Sequence, residues 1–318
     1  MTNAPDPPSV EREAGELLDA YLRRFQAERN PSPYTLRNYR TDLEHFFHWL
    51  ASEGVAPLAV DRPTFRRYLA TLEAAGTARG SVARKVSTIH GFYRRLVEDG
   101  VLTRDPLHGV RPPKQGRRLP KVLPTEEVQG LLETPQGDRP AALRDRAILE
   151  LLYATGLRVS ELVGLNVADV DLDDGRLRVT GKGNKQRLVL FGAPAARALR
   201  AYLRSGRPAL ADGRADPALF LNRGGGRLSA RAVQLLVRRA GVAAGITAPT
   251  HPHLLRHTFA THMLDGGADV RVVQELLGHA RATTTQVYTH VTEARQRQVY
   301  DTAFFQAWRP KRRPRDDG

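Results

Sequence analysis

Apolar residues recur along the chain in two blocks, separated by a Pro-rich break. Between Glu11 and Arg29, Leu17, Leu18, Tyr21, Leu22 and Phe25 fall at the spacing of one helix face. Ser32 followed by Pro33 reads as an N-cap with proline at the first helical position. Tyr39, Leu43, Phe46, Phe47 and Leu50 then line a second helix that Gly54 ends. Asp61 ahead of Pro63 opens a third, to about Ala75, and Val82, Val86, Ile89, Phe92, Tyr93 and Leu96 mark a fourth between Gly80 and Asp99. The pattern predicts a four-helix domain over residues 11–102, with short connections and a polar, Pro-rich flexible tail over residues 1–10.

Residues 103–121 carry no such pattern. Pro106, Pro112, Pro113 and Pro120 stand among six basic residues, which predicts an extended interdomain linker. A second domain starts near Val122. Pro124 to Glu127 reads as a helix start, and residues 141–155 as an apolar helix. Alternation over Leu177 to Thr180, a turn at Gly181-Lys182-Gly183-Asn184 and a second run from Gln186 to Leu190 predict a β-hairpin. Helices follow near 194–204, 229–243, 254–265 and 269–278, and again from about 284. The expected fold class is mainly α with a small β-sheet: a helical domain, then an α+β domain over residues 122–308 ending in a C-terminal helix, then a basic tail over residues 309–318.

Charge changes this picture. The chain of 318 residues carries 49 basic and 34 acidic side chains, a formal +15. Residues 1–113 hold 16 basic and 14 acidic residues, whereas residues 114–318 hold 33 and 20. The surplus lies in the linker and second domain, and it points to a polyanionic partner, nucleic acid before an anionic membrane. Only six of the 49 basic residues are Lys, so a genomic preference for Arg also contributes; that bias exchanges Arg for Lys without making bases outnumber acids. Two readings of the linker stay open on composition: a strap crossing a DNA backbone, and a solvated hinge. There is no cysteine, which removes disulfides, thiolate metal sites and thiol nucleophiles. The start lacks the basic-then-apolar run of a signal peptide, and no stretch reaches the length of a transmembrane helix, so a cytoplasmic protein is expected.

Single residues are ambiguous. Arg158, just past the apolar helix and a glycine that ends it, suits a bidentate phosphate clamp; it equally suits an ion pair with Glu161, three residues on. Lys182 sits between glycines at the hairpin tip. A lysine in an Arg-rich chain suits a proton donor, and the same Gly-Lys-Gly-Asn run is ordinary turn chemistry. Six of the ten histidines fall between residues 251 and 290. His253 and Arg256 share a helix face. His253 and His257 have metal-ligand spacing, but the HExxH pattern is absent and no carboxylate is placed as a third ligand, so His257 and His262 read as structural histidines and no metal is expected. His279 follows Gly278, a candidate helix C-cap. Tyr288, nine residues on, is either a half-buried tyrosine or a nucleophile that needs a base and nearby cations.

Together the segments ATGLRVSEL, GKGNKQR, HPHLLRHTFATHML and LLGHARATTTQVYTH strongly resemble the tyrosine recombinases (phage-integrase type), most closely the bacterial XerC/XerD branch. The resemblance covers nearly the whole chain and matches six positions without substitution: Arg158, Lys182, His253, Arg256, His279 and Tyr288. It implies a helical, SAM-like core-binding domain and a catalytic domain forming a C-shaped clamp on DNA. It implies site-specific recombination through a 3′-phosphotyrosyl intermediate, with Tyr288 as nucleophile and Lys182 as general acid. Arg158, Arg256 and His279 would bind the phosphate oxygens, His253 would take the phenolic proton, and Glu161 would orient Arg158 or His253 from behind. No cofactor, ATP or metal is implied.

Resolution of chromosome or plasmid dimers is the expected role, with links to chromosome partition and cell division. An integrase of a mobile element and a non-catalytic DNA-binding accessory protein are the alternatives. The implied partners are a duplex recombination site, a homo- or hetero-tetramer on two duplexes, a paired recombinase and a DNA-translocase activator. Phe304, Phe305 and Trp308 on the final helix would dock on a neighbouring protomer, or pack on their own domain.

Overall fold

The computed structural model describes residues 7–31, 33–110, 122–181, 186–214, 216–278 and 297–303. The chain divides into two compact units, Met1–Arg118 and Leu119–Gly318.

The first unit contains helices α1 (Pro7–Arg29), α2 (Pro33–Ser52), α3 (Arg62–Ala74) and α4 (Arg79–Glu98). The Asp61 side chain caps α3 by accepting from the Thr64 amide at 2.9 Å, as its position before Pro63 predicts. The core is aromatic: Phe46, Phe65, Tyr68, Phe92 and Tyr93 are fully buried, with Phe46 and Tyr68 edge to face at 4.8 Å. Asp42 is buried among them, 3.5 Å from Lys85 and 3.2 Å from the Thr88 hydroxyl, and it also pairs with Arg84. These contacts pin α2 to α4.

Two boundaries differ from the sequence reading. The tail expected over residues 1–10 is helical from Pro7, because prolines in a first turn give up no helical hydrogen bond. The linker expected from residue 103 is turn structure up to residue 110. Leu107 is fully buried in the first unit's core, and its amide donates to Asp105 at 2.8 Å.

The second unit contains α5 (Thr125–Glu133), α6 (Pro140–Thr155), α7 (Val159–Gly164), α8 (Ala193–Ala201), α9 (Arg207–Ala211), α10 (Ala230–Ala243), α11 (Pro252–Asp265) and α12 (Val270–Leu277). Residues 297–303 add a further helical segment. Helix α6 is apolar over its C-terminal half, where Ile148, Leu149, Leu151, Leu152 and Tyr153 are all essentially buried and Glu150 is the one charged residue. Such a segment belongs at the centre, and α5, α8 and α11 pack around it.

The sheet is antiparallel in the order β1 (Val170–Asp171), β2 (Arg176–Thr180), β3 (Gln186–Leu190). Leu177 stands opposite Val189 and Thr180 opposite Gln186, which is the predicted hairpin; its turn, residues 182–185, lies outside the described residues. Neither α7 nor β1 was legible in the periodicity. A smaller core of Phe259, Met263, Val273, Leu276 and Tyr300 joins α11, α12 and the segment 297–303. Among the described residues, no helix is long and apolar enough to cross a membrane.

Candidate active site

The site grows from the end of α6. Gly156 closes that helix with φ +58°, the left-handed conformation that lets the chain turn sharply. A Cβ there would lie 2.6 Å from Phe259 and 2.8 Å from Leu277, so only glycine lets α11 and α12 approach. The turn delivers Arg158 to the N-cap of α7. The Glu161 carboxylate, in the first turn of that helix, accepts from the Arg158 backbone amide at 2.8 Å and from its Nη1 at 2.9 Å. The pairing anticipated from the i, i+3 spacing is therefore present. It is not a surface pair, because the Glu161 side chain is only 4% exposed whereas Arg158 keeps 40% of its surface open.

Glu161 has a second partner that the sequence reading did not single out. Arg187, on β3, donates from Nη1 and Nη2 to the two Glu161 oxygens at 2.9 and 3.1 Å. Burial pushes the Glu161 carboxyl up, but the bonds from Arg187 and from the Arg158 amide outweigh it and hold the group below its ordinary value. Arg187 was legible only as part of the GKGNKQR segment; nothing in one-dimensional spacing joins it to residue 161.

Arg256 enters from α11. Its Nη1 donates to the Gly156 carbonyl at 2.5 Å and its Nη2 to the Leu277 carbonyl at 2.7 Å. One arginine thus ties the ends of α6 and α12 together and sits beside Arg158. Its bonded partners are neutral, and burial together with repulsion from Arg158 and Arg187 lowers its pKa to about 10, against a smaller pull from Glu161. It remains charged at neutral pH. Two guanidinium groups, those of Arg158 and Arg187, therefore share one carboxylate, and Arg256 adds a third positive charge beside them with only neutral partners, an unbalanced cationic cluster suited to an anion.

His253 lies one turn before Arg256 on α11 and is exposed. That helix is capped by His251, whose Nδ1 accepts from the Leu254 amide at 3.0 Å. Burial, and the neighbouring His253, lower the His251 pKa. His262 is a structural histidine as expected, with Nδ1 2.9 Å from the Tyr153 hydroxyl. Gly278 caps α12 with φ +67° as predicted, one residue before His279. Arg158, Glu161 and Arg256 are thus brought together, with His253 a turn away. Lys182, His279 and Tyr288, and the aromatics Phe304, Phe305 and Trp308, lie outside the described residues. Among the described residues, no three His, Cys, Asp or Glu side chains gather as a metal site.

Comparison with known proteins is consistent along the chain. Residues 121–295 match the phage integrase family, and residues 18–100 match the phage integrase N-terminal SAM-like domain. The tyrosine recombinase XerC of Pelotomaculum thermopropionicum is 42% identical over 293 residues, covering 89% of this chain and 96% of the relative. The tyrosine recombinase XerD of Mycobacterium tuberculosis (strain ATCC 25618 / H37Rv) is 46% identical over 296 residues, covering 89% and 95%. The fold is that of XerH bound to a palindromic difH substrate in a post-cleavage complex (TM-score 0.67, 21% identity, 91% of this chain and 80% of that one). It is equally that of a lambda integrase tetramer bound to a Holliday junction (TM-score 0.63, 20% identity, 91% and 77%). The chain belongs to the phage integrase family and is a tyrosine site-specific recombinase.

Proposed function

We propose that this recombinase resolves chromosome or plasmid dimers in the cytoplasm, and that its six motif residues perform strand cleavage and rejoining at a duplex target site. The observation that carries the chemistry is the pair of guanidinium groups of Arg158 and Arg256 held side by side, Arg158 by a Glu161 carboxylate whose charge Arg187 already offsets and Arg256 by neutral carbonyls, which supports an excess of positive charge for one phosphodiester. In the proposed step the Tyr288 oxygen attacks phosphorus and the bond to the 5′-oxygen breaks. A 3′-phosphotyrosyl link and a free 5′-hydroxyl result. His253 takes the phenolic proton and Lys182 supplies one to the leaving oxygen. Arg158, Arg256 and His279 stabilise the charge that builds on the non-bridging oxygens. A 5′-hydroxyl of the partner duplex then displaces the tyrosine, so the number of phosphodiester bonds is unchanged. Glu161 holds Arg158 in place.

A tetramer on two duplexes follows from exchanging strands between two sites. A paired recombinase and a translocase activator belong to the same reading, as does docking of Phe304, Phe305 and Trp308 on a neighbouring protomer; all rest on the family resemblance. The decisive experiment incubates the full chain with a nicked suicide duplex in EDTA, followed by a denaturing gel. The wild type is expected to give a covalent adduct and Tyr288→Phe none. An adduct that persists in the variant overturns the nucleophile, and cleavage that needs a divalent cation overturns the metal-free step.

A further inference from the structure

We infer that Arg187 is a positioning residue for strand cleavage: through Glu161 it locks the β2–β3 hairpin to Arg158, and it bears on the cap of α12 at Gly278. The inference rests on the proposed strand-cleavage reading. Three observations on separate elements carry it.

First, the Arg187 guanidinium forks onto both oxygens of the same carboxylate that binds the Arg158 side chain and backbone. A planar fork on a carboxylate that is 4% exposed fixes distance and orientation together, which a single contact cannot do. Second, the same guanidinium packs against Gly278: a Cβ there would sit 2.8 Å from both Cζ and Nε of Arg187. Glycine at the α12 cap is thus required twice, for its φ of +67° and for the space the arginine occupies. Third, Arg187 is five residues beyond Lys182 and Gly278 directly precedes His279, so the residue joins three chain segments, each adjoining a proposed catalytic position. Arg187 keeps only 20% of its side chain exposed, half the fraction of Arg158, and its Nη atoms are occupied by Glu161. It therefore acts through Glu161 and not on the DNA.

The test is single-turnover cleavage of the suicide duplex by the full chain, with DNA affinity and thermal melting measured in parallel. Arg187→Met is expected to bind DNA nearly as the wild type does while cleaving roughly 10- to 100-fold more slowly, the scale of a misplaced reacting group. Arg187→Lys keeps the charge without the fork, and should cleave at an intermediate rate. Arg187→Met combined with Glu161→Gln should be no slower than the slower single variant, because both act on one arginine. A wild-type rate in Arg187→Met overturns the inference, as do losses that simply add. If Arg187→Met does not fold, Arg187→Lys decides: cleavage at the wild-type rate overturns the role of the fork. Absence of any adduct in the wild type is a separate result, against the cleavage reading itself.

Discussion

At the scale of residues, Gly156 shows how backbone chemistry places a charged group. Its positive φ turns the chain out of α6, its missing side chain admits Phe259 and Leu277, and its carbonyl receives Arg256. Gly156→Ala should lower the unfolding free energy by roughly 2–4 kcal/mol, combining left-handed strain with overpacking. Denaturant titration measures the loss, and a change within 0.5 kcal/mol, roughly the scatter of surface substitutions, would remove the steric argument. Part of this was legible in one dimension. Gly156 and Gly278 were recognisable as helix caps because each follows an apolar periodic run. Glu161 was visible as a partner for Arg158 because three residues make one helical turn. Arg187 was not visible, since its pairing with Glu161 spans 26 residues and depends on how β3 packs beside α7.

At the scale of elements, helix α6 carries an unusual load. Its surroundings are apolar enough that burial pushes the Glu150 carboxyl from 4.5 up to about 7, against the pull of Arg197 and Arg146. A carboxyl whose pKa is raised on folding is protonated in the native state, while its unfolded counterpart has already ionised. Stability should therefore fall as pH rises from about 4.5 to about 7, and level off above that. Glu150→Gln, neutral at every pH, should match the wild type near pH 4 and exceed it by ~3 kcal/mol at pH 8, the order of the free-energy equivalent of the shift. Equal pH dependence in the two proteins would show that Glu150 is more solvated than its packing implies. The segment 297–303 also leans on α6, with the Tyr300 hydroxyl donating to the Ala154 carbonyl at 2.8 Å, two residues before Gly156. Short elements such as α7 and β1 escaped the sequence reading because six and two residues are too few to establish a period. The start of the linker was misread because proline and charge dominate its composition, while one leucine, Leu107, anchors it.

At the scale of the whole molecule, the basic surplus is a prediction about salt. The 33 basic and 20 acidic residues after position 113 supply ample charge for six to ten phosphate contacts, the usual range for a DNA-binding protein. The logarithm of the affinity for duplex DNA should then fall against the logarithm of salt concentration with a slope of about −5 to −9. Binding titrations between 50 and 200 mM salt, roughly a thousandfold loss or more, check it; a slope shallower than about −2 would assign the surplus charge to solubility.

The division between what the sequence determined and what the fold decided follows from the range of the interactions. Helix faces, caps, the hairpin and the order of the motif residues are local, set by period and by neighbours within a turn, and they could be read along the chain. The charge balance around Glu161 is not local. It exists because Gly156 lets α11 and α12 close on α6, bringing Arg256 beside Arg158 and Arg187, which share one carboxylate, from positions up to 98 residues apart. Desolvation and mutual repulsion among those charges arise only once the core has excluded water, and no spacing rule in the sequence encodes them.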